Sequence, residues 1–345
     1  MIRTQIKNKV GIIYLDRPEK LNALNLEMIN DIEATLKSWE NDDQIRLVLF
    51  DSETKSGLCA GGDVKAVYDE IIADKFDPKN NFFATESDLC EYVEAYKKPV
   101  ISHWYGIIMG GGVGLTINSD LIIVDETVNW AMPETRLGFI PDVGSCQYIS
   151  TLPQAVGQYI GLLGQSLGAS DLIKYEFADI FIGSGSYDTL MDEIIDLSSD
   201  YEGDILIEEI KNASKKYENT EKVSKIDHKI DAINKYFSYD SIEKIYDGLK
   251  DNLDDDFARK SFELFNERSP FMLKTQFEKY FLCKKLSYNE IMALDLKILN
   301  YGQKIGSMTE GIRSLIIEKD YKAQWPNKSI KDVDDTEVKA LLESY

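Results

Sequence analysis

Short apolar runs alternate with glycine turns and amphipathic stretches over the N-terminal third of the chain, and this alternation constrains the fold more than any other feature. The runs predicted to be buried strands lie at 9–16, 45–51, 99–106 and 121–126. Helices are predicted at 26–41, with Asn25 as N-cap, and near 64–72 and 82–96. Strands joined to helices through glycine turns predict an α/β fold with its functional groups on loops.

The composition sets the size and class of the protein. A chain of 345 residues with 43% hydrophobic residues can form one large domain with an extension, or two domains. From about residue 185 the sequence is acidic and helix-patterned. We therefore predict a core at 1–184 and a mainly helical region at 185–345 that completes the fold and covers the site. The apolar runs are much shorter than the ~20 residues of a membrane helix, so no membrane partner is expected.

Charge and residue usage exclude several classes of function. The net charge of −21 argues against a nucleic-acid partner. Four widely spaced cysteines without a C-x-x-C pair predict reduced thiols, and two distant histidines argue against a multi-histidine metal site. The N-terminus enters a strand pattern at once, so a cytoplasmic protein is expected. Acid–base chemistry therefore falls mainly to carboxylates.

Two glycine turns could bind an anion through their backbone. "CAGGD" at 59–63 and "GIIMGGGVG" at 106–114 each precede a predicted helix. The second is not a phosphate loop, because no G-K-[ST] follows, and Leu115 replaces the last glycine of a dinucleotide fingerprint. A plain tight turn capped by Asp63, and close packing of a helix on a strand, are the alternatives. Two N–H groups from separate turns can also converge on one oxygen as an oxyanion hole.

The stretch "MPETRLGFIPDVG" at 132–144 supplies two acids, Glu134 and Asp142. Gly138 and Pro141 prevent a continuous helix, so the fold must bring the two carboxylates together across a turn if they act together. Each acid also has a local alternative: Asp142 as a helix N-cap, and Glu134 as a first-turn acid after a proline.

Together these stretches resemble the crotonase (enoyl-CoA hydratase/isomerase) superfamily. "LDRPEKLNALN", "GLCAGGDVK", "KPVISHWYGIIMGGGVGL" and "MPETRLGFIPDVG" occur in the order and approximate spacing of the family, over about residues 10–180. "SPFMLKTQFEKY", "MTEGIRSLIIEKD" and "AQWPNKSI" resemble its 3-hydroxyisobutyryl-CoA hydrolase branch and extend the likeness to nearly the whole chain. The resemblance implies a crotonase-like α/β spiral of ββα units with a helical C-terminal region.

The resemblance also implies roles for individual residues. Gly62 and Gly111 match the two N–H donors that hold the thioester oxygen. Glu134 matches the catalytic glutamate of the hydrolase branch and Asp142 its partner acid. Glu86 matches a substrate-contacting glutamate, although the next residue is a serine where an aromatic residue is expected.

The implied reaction is hydrolysis of a short β-hydroxyacyl-CoA thioester, 3-hydroxyisobutyryl-CoA, as in valine degradation. Hydratases of the family use two glutamates, and the position of the first is Gly114 here, which should cost about 10²–10⁴-fold in hydration rate. Glu134 would attack the carbonyl to form a mixed anhydride or activate water, and Asp142 would accept a hydrogen bond from the β-hydroxyl group. The alternatives are an enoyl-CoA hydratase or isomerase with Glu134 as sole acid–base group, and a non-enzymatic CoA-thioester-binding protein.

The remaining expectations concern partners and other reactive side chains. Coenzyme A is part of the substrate, and neither a further cofactor nor a metal is expected. Lys20 and Lys55 are candidate contacts for the CoA phosphates or solvated surface residues. Relatives in the superfamily imply a trimer-based homo-oligomer, whereas the long helical tail is compatible with a monomer. The other reactive residues are predicted to have structural positions: His103 in the core, His228 exposed to solvent, and Cys59 and Cys146 as packing residues.

Overall fold

The computed structural model describes residues 1–221 and 223–343. Its strands are β1 Ile2–Lys7, β2 Val10–Leu15, β3 Leu47–Ser52, β4 Val100–Trp104, β5 Ile107–Met109, β6 Leu121–Asp125, β7 Asn129–Ala131 and β8 Ile180–Ile182. The first α-helices are α1 Leu26–Glu40, α2 Val64–Ile72, α3 Phe82–Glu94, α4 Gly111–Thr116, α5 Cys146–Ile149, α6 Gln154–Leu163, α7 Ala169–Lys174, α8 Tyr187–Asp200 and α9 Gly203–Ser214. The others are α10 Ile230–Phe237, α11 Ile242–Lys250, α12 Asp256–Asn266, α13 Pro270–Cys283, α14 Tyr288–Lys304, α15 Ser307–Ile312 and α16 Asp335–Glu343.

The predicted strands and helices of the N-terminal third are confirmed. Helix α1 spans nearly the predicted range, and the Asn25 side chain accepts a hydrogen bond from the Met28 N–H at its start. Helices α2 and α3 begin where the sequence predicts them. These elements were predictable because caps, turns and apolar spacing are local properties of the chain.

The chain forms two compact units. The sheet unit contains residues 1–62, 88–130 and 167–225, and the helical unit contains residues 63–87, 131–166 and 226–345, of which 226–343 are described. The main sheet of the first unit has the strand order β1-β2-β3-β4-β6-β8, with β1 antiparallel to β2 and every other neighbouring pair parallel.

Both faces of this sheet are covered, which explains why its inner strands are almost continuously apolar. Helices α8 and α9 cover one face, where they form a core with alternate strand residues such as Ile12, Leu49 and Ile123. On β2, a Cβ atom at Gly11 would lie 2.6 Å from the ring of Trp39, so α1 packs directly on the backbone there.

The predicted division at 184/185 coincides with the end of β8, after which the described residues contain no further strand. The two compact units do not divide there, because α8 and α9 use their apolar faces to cover the sheet and so belong to the sheet unit. The helical unit begins its C-terminal part only at Ile226. That this part covers the site stays a prediction.

The helical unit is organised around α13, whose residues are buried on nearly all sides. A helix that is buried all round is a core helix, and α13 contacts α5, α6, α11 and α16. Ser269 caps its start, and Ser287 with Glu290 forms a capping box at the start of α14. Among the helices of residues 1–221 and 223–343, none is long and apolar enough to cross a bilayer.

Candidate active site

The two predicted glycine turns lie side by side in the sheet unit. Cys59 forms a parallel bridge with Ile108, and the Met109 N–H donates a hydrogen bond of 3.0 Å to the Cys59 carbonyl. A Cβ atom built on Gly61 would lie 3.7 Å from the backbone nitrogen of Gly111. The fold therefore places the ends of both turns next to each other, as an oxyanion hole requires.

The backbone N–H groups at the ends of these turns are available to a ligand. Gly111 is the first residue of α4, where helical N–H groups have no partner within the helix. Within the part of the chain that the structure describes, neither the Gly62 nor the Gly111 N–H donates a hydrogen bond. A carbonyl oxygen bound here could accept two hydrogen bonds. That Gly62 and Gly111 serve this role stays a prediction.

Each of the other glycines near these donors is explained by its own backbone conformation or packing. Gly61 has a φ of 108° and Gly110 a φ of 49°, which favour glycine. A Cβ atom on Gly112 would lie 2.5 Å from Cys59 Cβ, so the alternative of close helix packing is also correct, one residue beyond the proposed donor. The Cys59 thiol donates to the carbonyl of Asn22 at 3.1 Å, in agreement with its predicted packing role.

Asn22 supports the first glycine turn, although no motif in the sequence singles it out. Its side chain is fully buried and donates to the Leu58 carbonyl at 2.9 Å and to Ser52 Oγ at 2.8 Å. Its Oδ1 accepts a hydrogen bond of 2.8 Å from the Arg17 N–H. The residue itself has a φ of 58°, which asparagine tolerates better than most residues. An asparagine between two apolar residues in "KLNAL" was the only available signal.

We expect Asn22→Ala to lower the free energy of unfolding by about 3 kcal/mol, because it leaves buried groups unsatisfied and forces alanine into a left-handed conformation. Urea unfolding monitored by circular dichroism measures the change. Asn30→Ala, on the exposed side of α1, is the matched control and should change stability by less than about 0.5 kcal/mol. Equal stability of the two variants would contradict the supporting role of Asn22.

Three predicted acids come together in the helical unit. Glu134 begins a short 3₁₀ helix that ends at Gly138, Asp142 lies in the following loop, and Glu86 lies on α3. Their side chains belong to residues that are only 5%, 4% and 3% exposed, respectively. The carboxylates interact electrostatically, because Asp142 raises the pKa values of both Glu86 and Glu134. The turn at 138–141 thus does bring the two acids of the loop together.

Burial dominates the protonation of these carboxyls. Burial, and then the charge of Asp142, raise the pKa of Glu134 well above its ordinary value. The same two causes raise the pKa of Glu86. Burial and the nearby charge of Asp295 raise the pKa of Asp142 to about 7. All three shifts favour the protonated carboxyl, and the charge of Asp142 links its own protonation to that of the two glutamates.

The structure distinguishes between the helix-end positions that were the alternative explanations for these acids. Asp142 caps no helix, because the next α-helix starts at Cys146 with Ser145 in the N-cap position, so the N-cap interpretation is wrong. Glu134 does occupy the first turn after Pro133, but its residue is buried rather than solvated. Asp63 occupies the N-cap position of α2.

Two of the carboxylate oxygens are buried without a hydrogen-bond partner. Among residues 1–221 and 223–343, no group pairs with Glu134 Oε2 or Glu86 Oε1. A buried, unsatisfied oxygen costs about 1–3 kcal/mol, which a bound ligand or a shared proton can offset. A polar group of a bound ligand could pair with either atom.

Beside the acids lies a buried ion pair that the sequence did not reveal. Lys279 on α13 is fully buried and contacts Asp295 on α14. Both residues sit within otherwise helix-forming stretches, and only their position on buried helix faces distinguishes them. Within the described ranges, no cluster of three or more His, Cys, Asp or Glu side chains could hold a metal ion.

The other residues that the sequence singles out are not part of the group of three acids. Lys20 and Lys55 are exposed in the sheet unit, and their contact with CoA phosphates stays a prediction. His103 is a core residue as predicted: its ring stacks on Tyr187 with centroids 3.5 Å apart, and its Nδ1 lies 3.2 Å from Asp51 Oδ1. His228 is exposed and Cys146 is buried, as predicted for each. All four cysteines are buried free thiols.

Comparison with known proteins decides the family. The sequence profile described as Enoyl-CoA hydratase/isomerase matches residues 10–342. The chain belongs to the enoyl-CoA hydratase/isomerase family. It is therefore an enzyme-family member whose relatives act on CoA thioesters, as the sequence motifs predict.

Curated relatives extend the likeness to the hydrolase branch. The mitochondrial 3-hydroxyisobutyryl-CoA hydrolase of Xenopus laevis is 31% identical over 97% of this chain and 86% of its own length. The human protein of the same name is 28% identical over 96% of this chain and 86% of its own length. The predicted resemblance to this branch is confirmed.

Solved structures confirm the predicted crotonase-like fold with its helical C-terminal region. A carnitinyl-CoA dehydratase from Mycobacterium thermoresistibile has a TM-score of 0.87 and 28% identity, and covers 99% of this chain and 96% of its own. An enoyl-CoA hydratase from Rhodobacter sphaeroides 2.4.1 has a TM-score of 0.88 and 27% identity, with the same coverage.

Proposed function

We propose that this protein is an acyl-CoA thioester hydrolase that cleaves a short β-hydroxyacyl-CoA, 3-hydroxyisobutyryl-CoA, to the free hydroxy acid and CoA. The observation that carries the proposal is the state of Glu134, which is buried, has an unsatisfied oxygen and has a strongly raised pKa. The names of the curated relatives support the substrate.

The proposed chemistry begins with the thioester carbonyl. The Gly62 and Gly111 N–H groups would stabilise the negative charge that its oxygen gains in the tetrahedral intermediate. Glu134 would either attack the carbonyl carbon, to form an anhydride that water then cleaves, or remove a proton from the attacking water. In both routes the C–S bond breaks, the thiolate takes up a proton, and water supplies the new hydroxyl of the acid.

The raised pKa values suit this reaction. A carboxylate whose pKa is raised well above its ordinary value by burial is a stronger base than an ordinary glutamate and can return its proton to the leaving thiolate. Asp142 would accept a hydrogen bond from the β-hydroxyl group of the substrate and orient Glu134. Glu86, with its unsatisfied Oε1, would contact the acyl group. Coenzyme A enters as part of the substrate, and the proposal needs neither a metal nor another cofactor.

The test of the substrate is a thiol-release assay with a panel of acyl-CoA esters. We expect 3-hydroxyisobutyryl-CoA to be cleaved with at least ~10-fold higher kcat/KM than isobutyryl-CoA, because one hydrogen bond to a buried charged acceptor is worth about 1.5–3 kcal/mol. Isobutyryl-CoA is the matched control, since it lacks only the hydroxyl group. Equal values for the two esters would contradict the role assigned to the hydroxyl group.

A hydratase is the second candidate, because two of the matching solved structures are named as a dehydratase and a hydratase. The sequence feature against it is Gly114, which lies on α4 without a side chain where the first hydratase glutamate is expected. Crotonyl-CoA separates the two functions: loss of the enoyl absorbance without release of thiol would favour the hydratase.

The proposal also includes a location and an assembly. We place the protein in the cytoplasm and the reaction in valine degradation, whereas the relatives' names assign those proteins to mitochondria. The assembly is a monomer or a trimer-based homo-oligomer, and light scattering coupled to size exclusion distinguishes the two.

A further inference from the structure

We propose that Lys279 and Asp295 are a positioning pair for the proposed hydrolysis: they form hydrogen bonds to the backbone on both sides of Asp142. In this way they hold its carboxyl in the position and charge state that the reaction requires. The Lys279 ammonium donates a hydrogen bond of 2.7 Å to the carbonyl of Pro141, immediately before Asp142. Asp295 Oδ2 accepts one of 3.1 Å from the N–H of Gly144, two residues after it. The inference rests on the proposed function for its catalytic meaning.

The two side chains also contact each other, so the two backbone anchors are connected. Lys279 Nζ and Asp295 Oδ1 form an ion pair, and the residues are 0% and 1% exposed. Although burial alone would lower the pKa of Lys279, the charge of Asp295 keeps it above its ordinary value. Electrostatic interactions with Cys146 and Cys283, which also face Lys279, act on its pKa in the same direction. A rigid link from α13 through α14 to the loop therefore fixes the segment that carries Asp142.

Stability alone does not explain such a pair. Removing two charges from water costs several kcal/mol for each ion, and well-packed apolar residues at the same places are often as stable or more so. Helices α13 and α14 already pack through an apolar cluster that includes Phe271, Leu294 and Ile298. A buried pair aimed at one loop is better explained by what that loop has to do.

The two charges act on Asp142 in opposite directions. Besides burial, Asp295 raises the pKa of Asp142 and Lys279 lowers it. The other acids that face this group are Glu134, from the 3₁₀ helix, and Glu86, from α3. Lys279 also lowers the pKa of Glu134 and is the positive charge that acts on both acids of the loop. Its removal and the removal of Asp295 must therefore have effects of opposite sign.

The test compares Lys279→Met and Asp295→Asn with the wild-type protein. We expect the acid limb of the pH profile of kcat/KM for thiol release to move up by about 1 pH unit in Lys279→Met and down by about 1 unit in Asp295→Asn. In Lys279→Met kcat should fall by about 10–100-fold with KM within ~3-fold of wild type, because the loop loses its anchor at Pro141. Asp295→Asn keeps an amide oxygen that can accept from the Gly144 N–H, so its kcat should fall less than that of Lys279→Met. Carboxyl ¹³C NMR, with the Asp142 signal assigned by its loss in Asp142→Asn, measures the same shifts without using catalysis.

Lys274→Met is the matched control. Lys274 is a second buried lysine on α13, but it pairs with Glu243 and Asp335, and its charge is not among those that shift the pKa of Asp142. This variant should lose stability without any shift of the limb. Shifts in the same direction for Lys279→Met and Asp295→Asn, no shift in either, or an equal shift in the control would overturn the proposal.

Two further results keep the outcomes distinct. If a single variant does not fold, Lys279→Met/Asp295→Asn decides. It should keep the Asp142 titration near that of wild type while kcat falls by at least ~10-fold, as in Lys279→Met, because the anchor at Pro141 is lost. An unchanged kcat overturns the proposal. If the wild-type protein releases no thiol from any CoA ester, the proposed function fails, and the NMR shifts alone then confirm or refute the action of the pair on Asp142.

Discussion

Replacing Glu134 by Gln should lower kcat for thiol release from 3-hydroxyisobutyryl-CoA by at least ~10³-fold, because the amide can neither attack the carbonyl carbon nor accept a proton from water. The substitution preserves the shape of a buried side chain, so the KM or the dissociation constant for the substrate should change by less than ~5-fold. Stopped-time thiol assays and calorimetric binding of the substrate measure the two quantities.

The same variant carries its own folding control. Burial raises the pKa of Glu134, so the folded protein holds a proton that the unfolded chain loses above about pH 4.5. The stability contributed by this carboxyl is therefore fully present at low pH and is lost as pH rises towards the raised pKa. Glu134→Gln should accordingly raise Tm more at pH 8 than at pH 5. Glu27→Gln, on the exposed side of α1, should leave activity unchanged and should not raise Tm, because it only removes a first-turn charge that favours the helix. Wild-type turnover in Glu134→Gln would remove the assignment.

Replacing Gly111 by Pro should lower kcat by about 10²–10³-fold, the usual cost of one oxyanion-hole donor. Proline has no N–H to donate, and the first position of a helix is the one that accepts it best. Gly111 is the first residue of α4, and Gly110 before it has no Cβ atom to clash with the proline ring. Single-turnover thiol release measures the chemical step directly.

Gly111→Ala is the matched control for this variant. Alanine also adds a Cβ atom at this buried position but keeps the N–H group. We expect Gly111→Ala to be at least ~10-fold more active than Gly111→Pro, because only the proline variant loses the donor. Equal loss in both variants would show that crowding, and not the missing hydrogen bond, explains the effect and would contradict the oxyanion role.

Most of the fold could be predicted because its signals are local. The Asn25 cap and the apolar spacing of α1 lie within one element. The glycines at 61 and 62 come just before α2, and those at 110–112 form the start of α4. The predicted boundary at 184/185 followed the same local pattern. It could not show that α8 and α9 pack on the sheet, since that depends on which apolar faces are left uncovered after the strands pair.

For the candidate site, the sequence predicted the types of residue and only some of the residues that surround them. Glu134 and Asp142 were predicted from a stretch that cannot form one continuous helix. The alternative of Asp142 as a helix N-cap was wrong, because the next α-helix starts only at Cys146, with Ser145 in the N-cap position. Asn22 and Lys279 were missed. Each acts on groups distant along the chain, and a single asparagine or lysine carries no periodic signal of that action.

Residue patterns along the chain were enough to establish an α/β fold of the enoyl-CoA hydratase/isomerase family and to locate the two glycine turns, since each depends on neighbours a few positions away. The same patterns point to the acids as the reactive groups, which stays a prediction. The protonation of those acids required the folded chain. Lys279 reaches the carbonyl of Pro141 across 138 residues, and the pKa of Asp142 depends on burial and on charges from two other helices. Electrostatic energies follow distance in space and exclusion of water, and neither can be read from the order of residues.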